Sequence, residues 1–351
     1  MRLIILNSAP ENSGFGRYAN ILHQATKDYS IVKTFDQMRQ GGPTIESRSF
    51  IGNNSFVDKN KWKILLSKAL SPITSNKQKR EVLNLKKQGN LLHYTYEYVP
   101  PLDFSRDNVV TIHDLIIFNN DYSVPRLKLQ LSKMLLNHYS KFSFIITPTE
   151  HIKKQLFERG VDSMIESIHH PVSPGFHQIE DKNTLRKELG LPAEKKLILS
   201  VSNSMPWKNL KRISEAVNHL GDEYKLIRVG PKLNGAYHFE EVSEAFLNKI
   251  YNACDLLLFP SLDEGFGFPV IEAFATGLPV VTSNIEPIKE IAGDSAIFIE
   301  PENIESILNG IYEATSNSEY YKIKGLKQSK QFAMDIFGNK MKTFYNKIGA
   351  I

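Results

Sequence analysis

Short apolar runs separated by longer amphipathic stretches recur along this chain, and that rhythm restricts the fold more than any other feature. The runs lie at residues 3–6, 91–94, 109–112 and 144–147, then at 196–201, 225–229, 256–259, 280–282 and 296–299. A short run that is apolar throughout suits a strand buried on both faces, and strands alternating with helix-length segments predict βα units around parallel sheets. A length of 351 residues exceeds one typical core, so about two α/β domains are expected at roughly 150 residues each. The proline-rich segment Ile168-His169-His170-Pro171-Val172-Ser173-Pro174-Gly175-Phe176 has neither a helical nor a strand period, which marks it as the hinge. The expected domains are therefore 1–168 and 169–331. A second crossing is expected near Lys330, ahead of a final helix at about 339–348 within 332–351. Thr149 is the expected N-cap of a helix that Gly160 ends.

Bulk composition narrows the class. Apolar residues at 41% and aromatics at 10% are ordinary for a globular protein. The net charge of +5 is a mild excess that does not call for nucleic acid. The single cysteine, Cys254, excludes an internal disulfide and a cysteine-cluster metal site, and reads as a small buried hydrophobe. The first apolar run is too short for a signal peptide, and no stretch reaches the roughly 20 apolar residues of a spanning helix. The expectation is a cytoplasmic protein. Positive charge gathers between Lys59 and Lys87, where nine basic residues face one acid, Glu81. Trp62, Ile64, Leu65, Leu66, Ala69 and Leu70 are interleaved with the earlier lysines. That pattern suits peripheral docking on the anionic inner face of a membrane. A solvated helix face over a core-packing stripe explains it equally well.

The stretch that carries most chemistry is Glu264-Gly265-Phe266-Gly267-Phe268-Pro269-Val270-Ile271-Glu272. It follows the apolar run 256–259 and enters a helix, since Pro269 suits a first helical turn and Gly277 with Pro279 stops it. Glu264 is placed in the turn and Glu272 about one turn inside the helix, with free N–H groups between them that can hold an anion. A turn able to hold phosphate between carboxylates able to hold hydroxyls suits a sugar nucleotide.

Other segments have competing readings. In Asn12-Ser13-Gly14-Phe15-Gly16-Arg17-Tyr18, Gly14 and Gly16 would let the backbone approach a ligand, or would only make a tight turn. Ala19 stands where the dinucleotide fingerprint needs a third glycine. His113, at the carboxyl end of the run 109–112, points toward the crevice where such folds bind ligands, or else pairs structurally with Asp114. Lys208 in Ser202-Asn203-Ser204-Met205-Pro206-Trp207-Lys208-Asn209 can neutralise a diphosphate, or be a solvated lysine. His169-His170 lacks a spaced carboxylate or thiol for a metal and reads as hinge packing.

Asp263 to Pro269, followed by Glu272-Ala273-Phe274-Ala275-Thr276-Gly277-Leu278-Pro279-Val280, closely resembles the signature of retaining GT-B glycosyltransferases, family 4. The segment 13–18 resembles that family's amino-terminal glycine loop, His113-Asp114 its first-domain histidine motif, and Pro206 to Asn209 its Lys-Asn phosphate turn. Thr147-Pro148-Thr149-Glu150 resembles a helix start of the same family. The resemblance implies two Rossmann-like βαβ domains facing a central cleft, with the final helix packed back on the first domain. It implies donor contacts from Gly14, Gly16, Lys208, Gly265, Phe266, Gly267 and Glu272, with Glu272 on the ribose and Lys208 on the diphosphate; Asn203 and Arg212 are further donor candidates from this chain's own sequence. His113, Lys208 and Glu264 would be the catalytic group, with His113 near the anomeric centre. Arg17 and Tyr96 are candidates for acceptor contact. One departure stands out: the family's usual arginine, five positions before the lysine, is here Asn203.

The expected reaction moves a hexose from a GDP- or UDP-linked donor to an acceptor hydroxyl, with a lean to GDP-mannose. The acceptor is expected to be a saccharide or lipid-linked glycan in surface polysaccharide assembly. No Asp-x-Asp occurs, which fits departure of the diphosphate without a metal or other cofactor. A sugar-nucleotide epimerase of the same architecture, a dinucleotide oxidoreductase and a non-catalytic binding module are the alternatives.

Overall fold

The computed structural model describes residues 3–7, 14–28, 30–34, 76–95, 108–118 and 135–350. Its first sheet takes β1 (Leu3–Asn7), β2 (Ser30–Thr34), β3 (Leu91–Tyr94), β4 (Asn108–Thr111), β5 (Phe144–Thr147) and β6 (Met164–Ser167) in the order β2-β1-β3-β4-β5-β6. Every pairing is parallel. Helices α1 (Gly14–Thr26), α2 (Asn76–Lys87) and α3 (Glu150–Glu158) belong to this half. Successive side chains of a strand point to opposite faces, and β1 shows it. Leu3 and Ile5 join Tyr18 and Leu22 of α1 on one face, while Ile4 and Leu6 join Val82 and Leu85 of α2 on the other.

The second half begins with α4 (Lys182–Glu188) and repeats the plan. Its strands are β7 (Lys196–Val201), β8 (Tyr224–Val229), β9 (Tyr237–Phe239), β10 (Leu256–Phe259), β11 (Val280–Ser283) and β12 (Ile297–Ile299). Their order is β12-β11-β10-β7-β8-β9, all parallel. This is the doubly wound order in which the connections reverse between the first and fourth strands, here β7 and β10. Such sheets hold ligands outside the carboxyl ends of the strands at that reversal. The helices are α5 (Leu210–Asn218), α6 (Glu244–Ala253), α7 (Phe268–Thr276), α8 (Glu286–Ala292), α9 (Ile304–Ser316) and α10 (Ser318–Ser329). Cys254 is buried in the core on the face of α6 and α7.

Among the described residues the chain crosses between the halves twice, and the crossings touch. Val172 N–H donates to the carbonyl of Phe332 at 2.9 Å. The last helix, α11 (Met334–Lys347), then lies on the first half. Its Phe337, Met341, Phe344 and Tyr345 pack with Leu3, Ile5 and Tyr18. It begins five residues earlier than the expected 339, because Met334 and Phe337 are apolar positions on its packed face. Tyr345 Oη and Nδ1 of the buried His93 lie 2.6 Å apart.

Among the described residues three strands have no counterpart in the expected set: β2, β6 and β9. Each is an edge of its sheet and carries polar residues such as Lys33, Glu166 and His238. Of the basic stretch, residues 76–87 form α2, with Val82 and Leu85 buried and Arg80 and Lys87 exposed. The part from Lys59 to residue 75, and Tyr96, lie outside the described residues. Among the described residues no helix is long and apolar enough to cross a membrane.

Candidate functional site at the cleft

The turn after β10 is built by its glycines. Gly267 is the N-cap of α7 at φ 106°, a left-handed conformation that favours glycine, and Gly277 ends the helix at φ 72°. Pro269 occupies its first turn, where a missing N–H costs nothing. Gly265 is needed for a different reason: a Cβ there would lie 1.9 Å from the carbonyl oxygen of His113. The turn of the second domain is thus pressed against the end of β4 in the first. Thr149, which caps α3 through Ile152 N–H, also donates its hydroxyl to the carbonyl of Gly265 at 3.1 Å. Nearby, Glu290 of α8 accepts from the N–H groups of Glu150 and His151 at 2.8 and 3.2 Å, so a second-domain carboxylate caps a first-domain helix.

Lys208 and Glu264 meet at the strand-order reversal. Lys208 Nζ lies 2.5 Å from Glu264 Oε1, and both side chains are largely buried. The ammonium also sits 5.4 Å from the centre of the Phe259 ring. The two loops are tied by backbone, since Leu262 N–H donates to the carbonyl of Trp207 at 2.7 Å. Asn209 adopts φ 57° and donates its amide to the carbonyls of Pro260 and Pro301 at 3.0 and 2.7 Å. It thereby anchors the lysine turn to the loop that carries Glu264.

Two expected donor contacts have other partners. Arg212 forks onto Glu302, at 3.2 Å to its carboxylate and 3.2 Å to its carbonyl, and reaches Asn209 at 3.3 Å. Its guanidinium is spent on a neighbouring loop rather than held toward the turn. Asn203 is exposed and accepts from Met205 N–H at 3.2 Å, closing its own turn. Beneath it, the fully buried Arg228 donates to the carbonyls of Ser200 and Ser202 at 3.1 and 2.5 Å and holds that loop down.

Glu272 is 2% exposed and both its oxygens are engaged. Oε1 pairs with Arg17 at 2.9 Å, across the cleft from α1, and Oε2 accepts from the Tyr251 hydroxyl at 2.8 Å. Arg17, expected at the acceptor, therefore faces the expected ribose carboxylate. Its guanidinium carbon lies 5.8 Å from the centre of the Phe268 ring. The Glu272 charge beside Arg17 holds the guanidinium protonated even more firmly than usual. Gly14 and Gly16 form the start of α1 on the same side.

His113 is buried, and both its ring nitrogens have partners. Nε2 is 2.8 Å from the carbonyl of Thr95, and Nδ1 is 3.0 Å from Nε2 of His170. A carbonyl only accepts, so Nε2 carries the proton and Nδ1 must accept from His170. The imidazole expected on the sugar is thus fixed from behind as a neutral ring. Burial lowers its pKa to about 4, and drives that of His170 well below 6.5. His170 stacks on Phe268 at 5.3 Å between ring centres, which links the hinge to the start of α7.

Asp114, weighed in the sequence only as a partner for His113, instead accepts from Ile116 N–H at 3.1 Å. Burial and the Glu264 charge raise its pKa to about 6, against the pull of Lys208. It belongs to the same cluster as the Lys208–Glu264 pair. Tyr251 was not legible at all, because nothing local marks a tyrosine inside α6 as a carboxylate partner.

Residues 181–325 match the family described as glycosyl transferases group 1. The O-antigen chain mannosyltransferase RfbU of Salmonella typhimurium is 25% identical over 239 residues, covering 63% of this chain and 64% of that protein. Less than two thirds of the length of the curated relatives it matches is spanned by the chain. Among solved structures, sucrose-phosphate synthase from Thermosynechococcus elongatus superposes with a TM-score of 0.77 at 16% identity, covering 100% of this chain and 99% of that one. HepE of Anabaena, solved in complex with UDP and glucose, gives 0.74 at 16% identity, covering 99% and 100%. The fold is GT-B, with two Rossmann-like α/β halves. Residues 181–325 thus carry the similarity to the glycosyl transferases group 1.

Proposed function

We propose that the protein transfers a hexose from a nucleoside diphosphate sugar to an acceptor hydroxyl with retention of configuration. The observation that carries this is that the stretch from Glu264 to Glu272, which holds the N-terminus of α7, meets Lys208 of its own half and both Arg17 and the His113 carbonyl of the other. Glu272 suits a ribose, since a carboxylate accepts from two vicinal hydroxyls. The N–H groups of Gly265 to Phe268 suit a diphosphate. Glu264 and the His113 strand end would meet the sugar hung from that diphosphate.

In the proposed step the bond between the anomeric carbon and the β-phosphate oxygen breaks, and its electron pair leaves with the diphosphate. The acceptor oxygen bonds to the same face of the carbon, and its proton passes to the departing phosphate oxygen. Charge that develops on the diphosphate meets Lys208 and the helix-start N–H groups. Donors of this kind contribute on the order of 3 kcal/mol each in other enzymes. No metal is assigned a role, in keeping with the lack of an Asp-x-Asp sequence.

A GDP-linked mannose is the first donor to test, because relatives named as O-antigen mannosyltransferases align with this chain. A glycan or lipid-linked glycan of surface polysaccharide assembly is the matching acceptor. Residues 59–87 would hold the enzyme at an anionic membrane surface. The test incubates the protein with GDP-mannose, UDP-glucose and other common donors together with short glycan acceptors, and reads the product linkage by NMR. Release of nucleoside diphosphate with a product of the donor's own anomeric configuration supports the proposal. An inverted product, or sugar isomerised without any acceptor, refutes it.

A further inference from the structure

The Arg17–Glu272 pair creates a conflict that the proposed function must resolve. If ribose hydroxyls are to reach Glu272, they must reach a carboxylate that its two partners, Arg17 and Tyr251, leave only 3% exposed. Tyr251 is buried beside Oε2 at 2.8 Å and is a fixed partner. Arg17, bonded to Oε1 at 2.9 Å, is the movable one: its side chain is 33% exposed against 3% for Glu272. It also comes from the opposite half of the molecule. A donor therefore enters by displacing a first-domain arginine from a second-domain carboxylate.

The displaced charge has a second use. A nucleoside diphosphate brings more negative charge than one lysine neutralises, and Lys208 is already balanced by Glu264 at 2.5 Å. Arg212 is held by Glu302 and Asn209, and Arg228 is buried against backbone carbonyls. Arg17 alone among these arginines borders the crevice, with its guanidinium 5.8 Å from the ring of Phe268, the first residue of α7. The diphosphate in the proposed pose lies at that helix start, one turn from Glu272. A guanidinium matches phosphate oxygens with two parallel donors.

Resting on the reading of Glu272 as the ribose ligand, we propose that Arg17 is a donor-exchanged cation. In the empty cleft it neutralises Glu272. When a donor binds, the ribose hydroxyls take Oε1 and the guanidinium turns to the diphosphate, so the first domain grips the nucleotide through its phosphates. No covalent bond is made or broken: Arg17 exchanges a carboxylate partner for phosphate oxygens, and Glu272 exchanges a cation for hydroxyl donors.

The exchange makes opposite demands on nucleosides and nucleoside diphosphates, which gives the test. Wild type, Arg17→Ala and Arg17→Lys are titrated with guanosine and uridine, and with GDP and UDP, using ligand-observed NMR for the weak nucleosides. In Arg17→Ala the nucleoside meets an unoccupied Glu272, so its affinity is unchanged or higher. The diphosphate loses a charge-assisted contact and weakens by about tenfold. The preference for diphosphate over nucleoside therefore falls, and Arg17→Lys lies between the two. A circular dichroism melt confirms that each variant is folded. Equal weakening of both ligands, equal tightening of both, or no change overturns the exchange. If wild type binds no nucleoside diphosphate, the proposed function falls with it, whereas normal wild-type binding with an unaltered preference in Arg17→Ala removes this inference alone.

Discussion

The backbone of Gly265 lies against the carbonyl of His113 so closely that a single added Cβ would sit 1.9 Å from that oxygen. One residue belongs to the glycine turn before α7 in the second half and the other to the end of β4 in the first. Their contact sets how near the two walls of the crevice come.

Gly265→Ala must push the walls apart, because the added Cβ is fixed rigidly to one backbone and the oxygen it meets belongs to another. Each half keeps its own core, so the melting temperature should change little. Turnover should fall by about a hundredfold, the scale of a 1 Å misplacement of reacting groups. Parallel activity and melting measurements check this, and an unimpaired variant would show that the halves need not meet at Gly265.

The Lys208–Glu264 pair should be strongly coupled. Lys208→Met strands a buried carboxylate and Glu264→Gln strands a buried ammonium. Each single change should cost about 3 kcal/mol. The double variant should recover most of that stability while its turnover stays depressed by about a hundredfold or more. Urea unfolding of all four proteins, with turnover measured beside it, separates the structural from the chemical role. Additive stability losses would contradict the coupling.

Acid should destabilise the first half. Burial lowers the pKa of His93 to about 3 and of His113 to about 4, and that of His170 well below 6.5. Below about pH 6.5 the unfolded chain takes up protons that these folded histidines refuse, so stability falls as pH drops from there toward 4. Asp114 acts in the opposite sense. Its folded pKa of about 6 exceeds the ordinary 3.8, so its contribution is lost as pH rises through that window. Three histidines outweigh one aspartate. His93 and His113 should each cost on the order of 2 kcal/mol between pH 6.5 and 5, and His170 acts in the same direction. Melting curves across pH 7 to 5 check the slope, and His93→Gln should flatten it.

Packing away from the crevice offers a control. A Cβ on Gly310 of α9 would come within 2.6 Å of Ile299 and 2.9 Å of Val281. Gly310→Ala should cost about 1–3 kcal/mol through overpacking. Turnover of the folded fraction should be unchanged. A selective loss of turnover would mean that this face communicates with the cleft.

What could be read from the chain alone followed from local physics. The central strands announced themselves because both their faces are buried, as in Leu256, Leu257, Leu258 and Phe259. The edge strands β2, β6 and β9 did not, since a strand with one wet side needs no continuous apolar run. The turn from Glu264 to Gly267 was legible for a similar reason: glycine, proline and the helix stop all act within a few residues. Long-range partners have no such signature. Arg17 finds Glu272 across 255 positions, and Arg212 is drawn to Glu302 in the loop that follows β12. His113 was expected on the sugar, but its orientation depends on Thr95 and His170, neither of which is marked by spacing.

The most direct measurement is a crystal structure of the protein with GDP or UDP bound. The account predicts ribose hydroxyls about 3 Å from Glu272, with the β-phosphate against Lys208 and the N–H groups at the start of α7. A nucleotide bound elsewhere, with Glu272 still paired to Arg17, would contradict it.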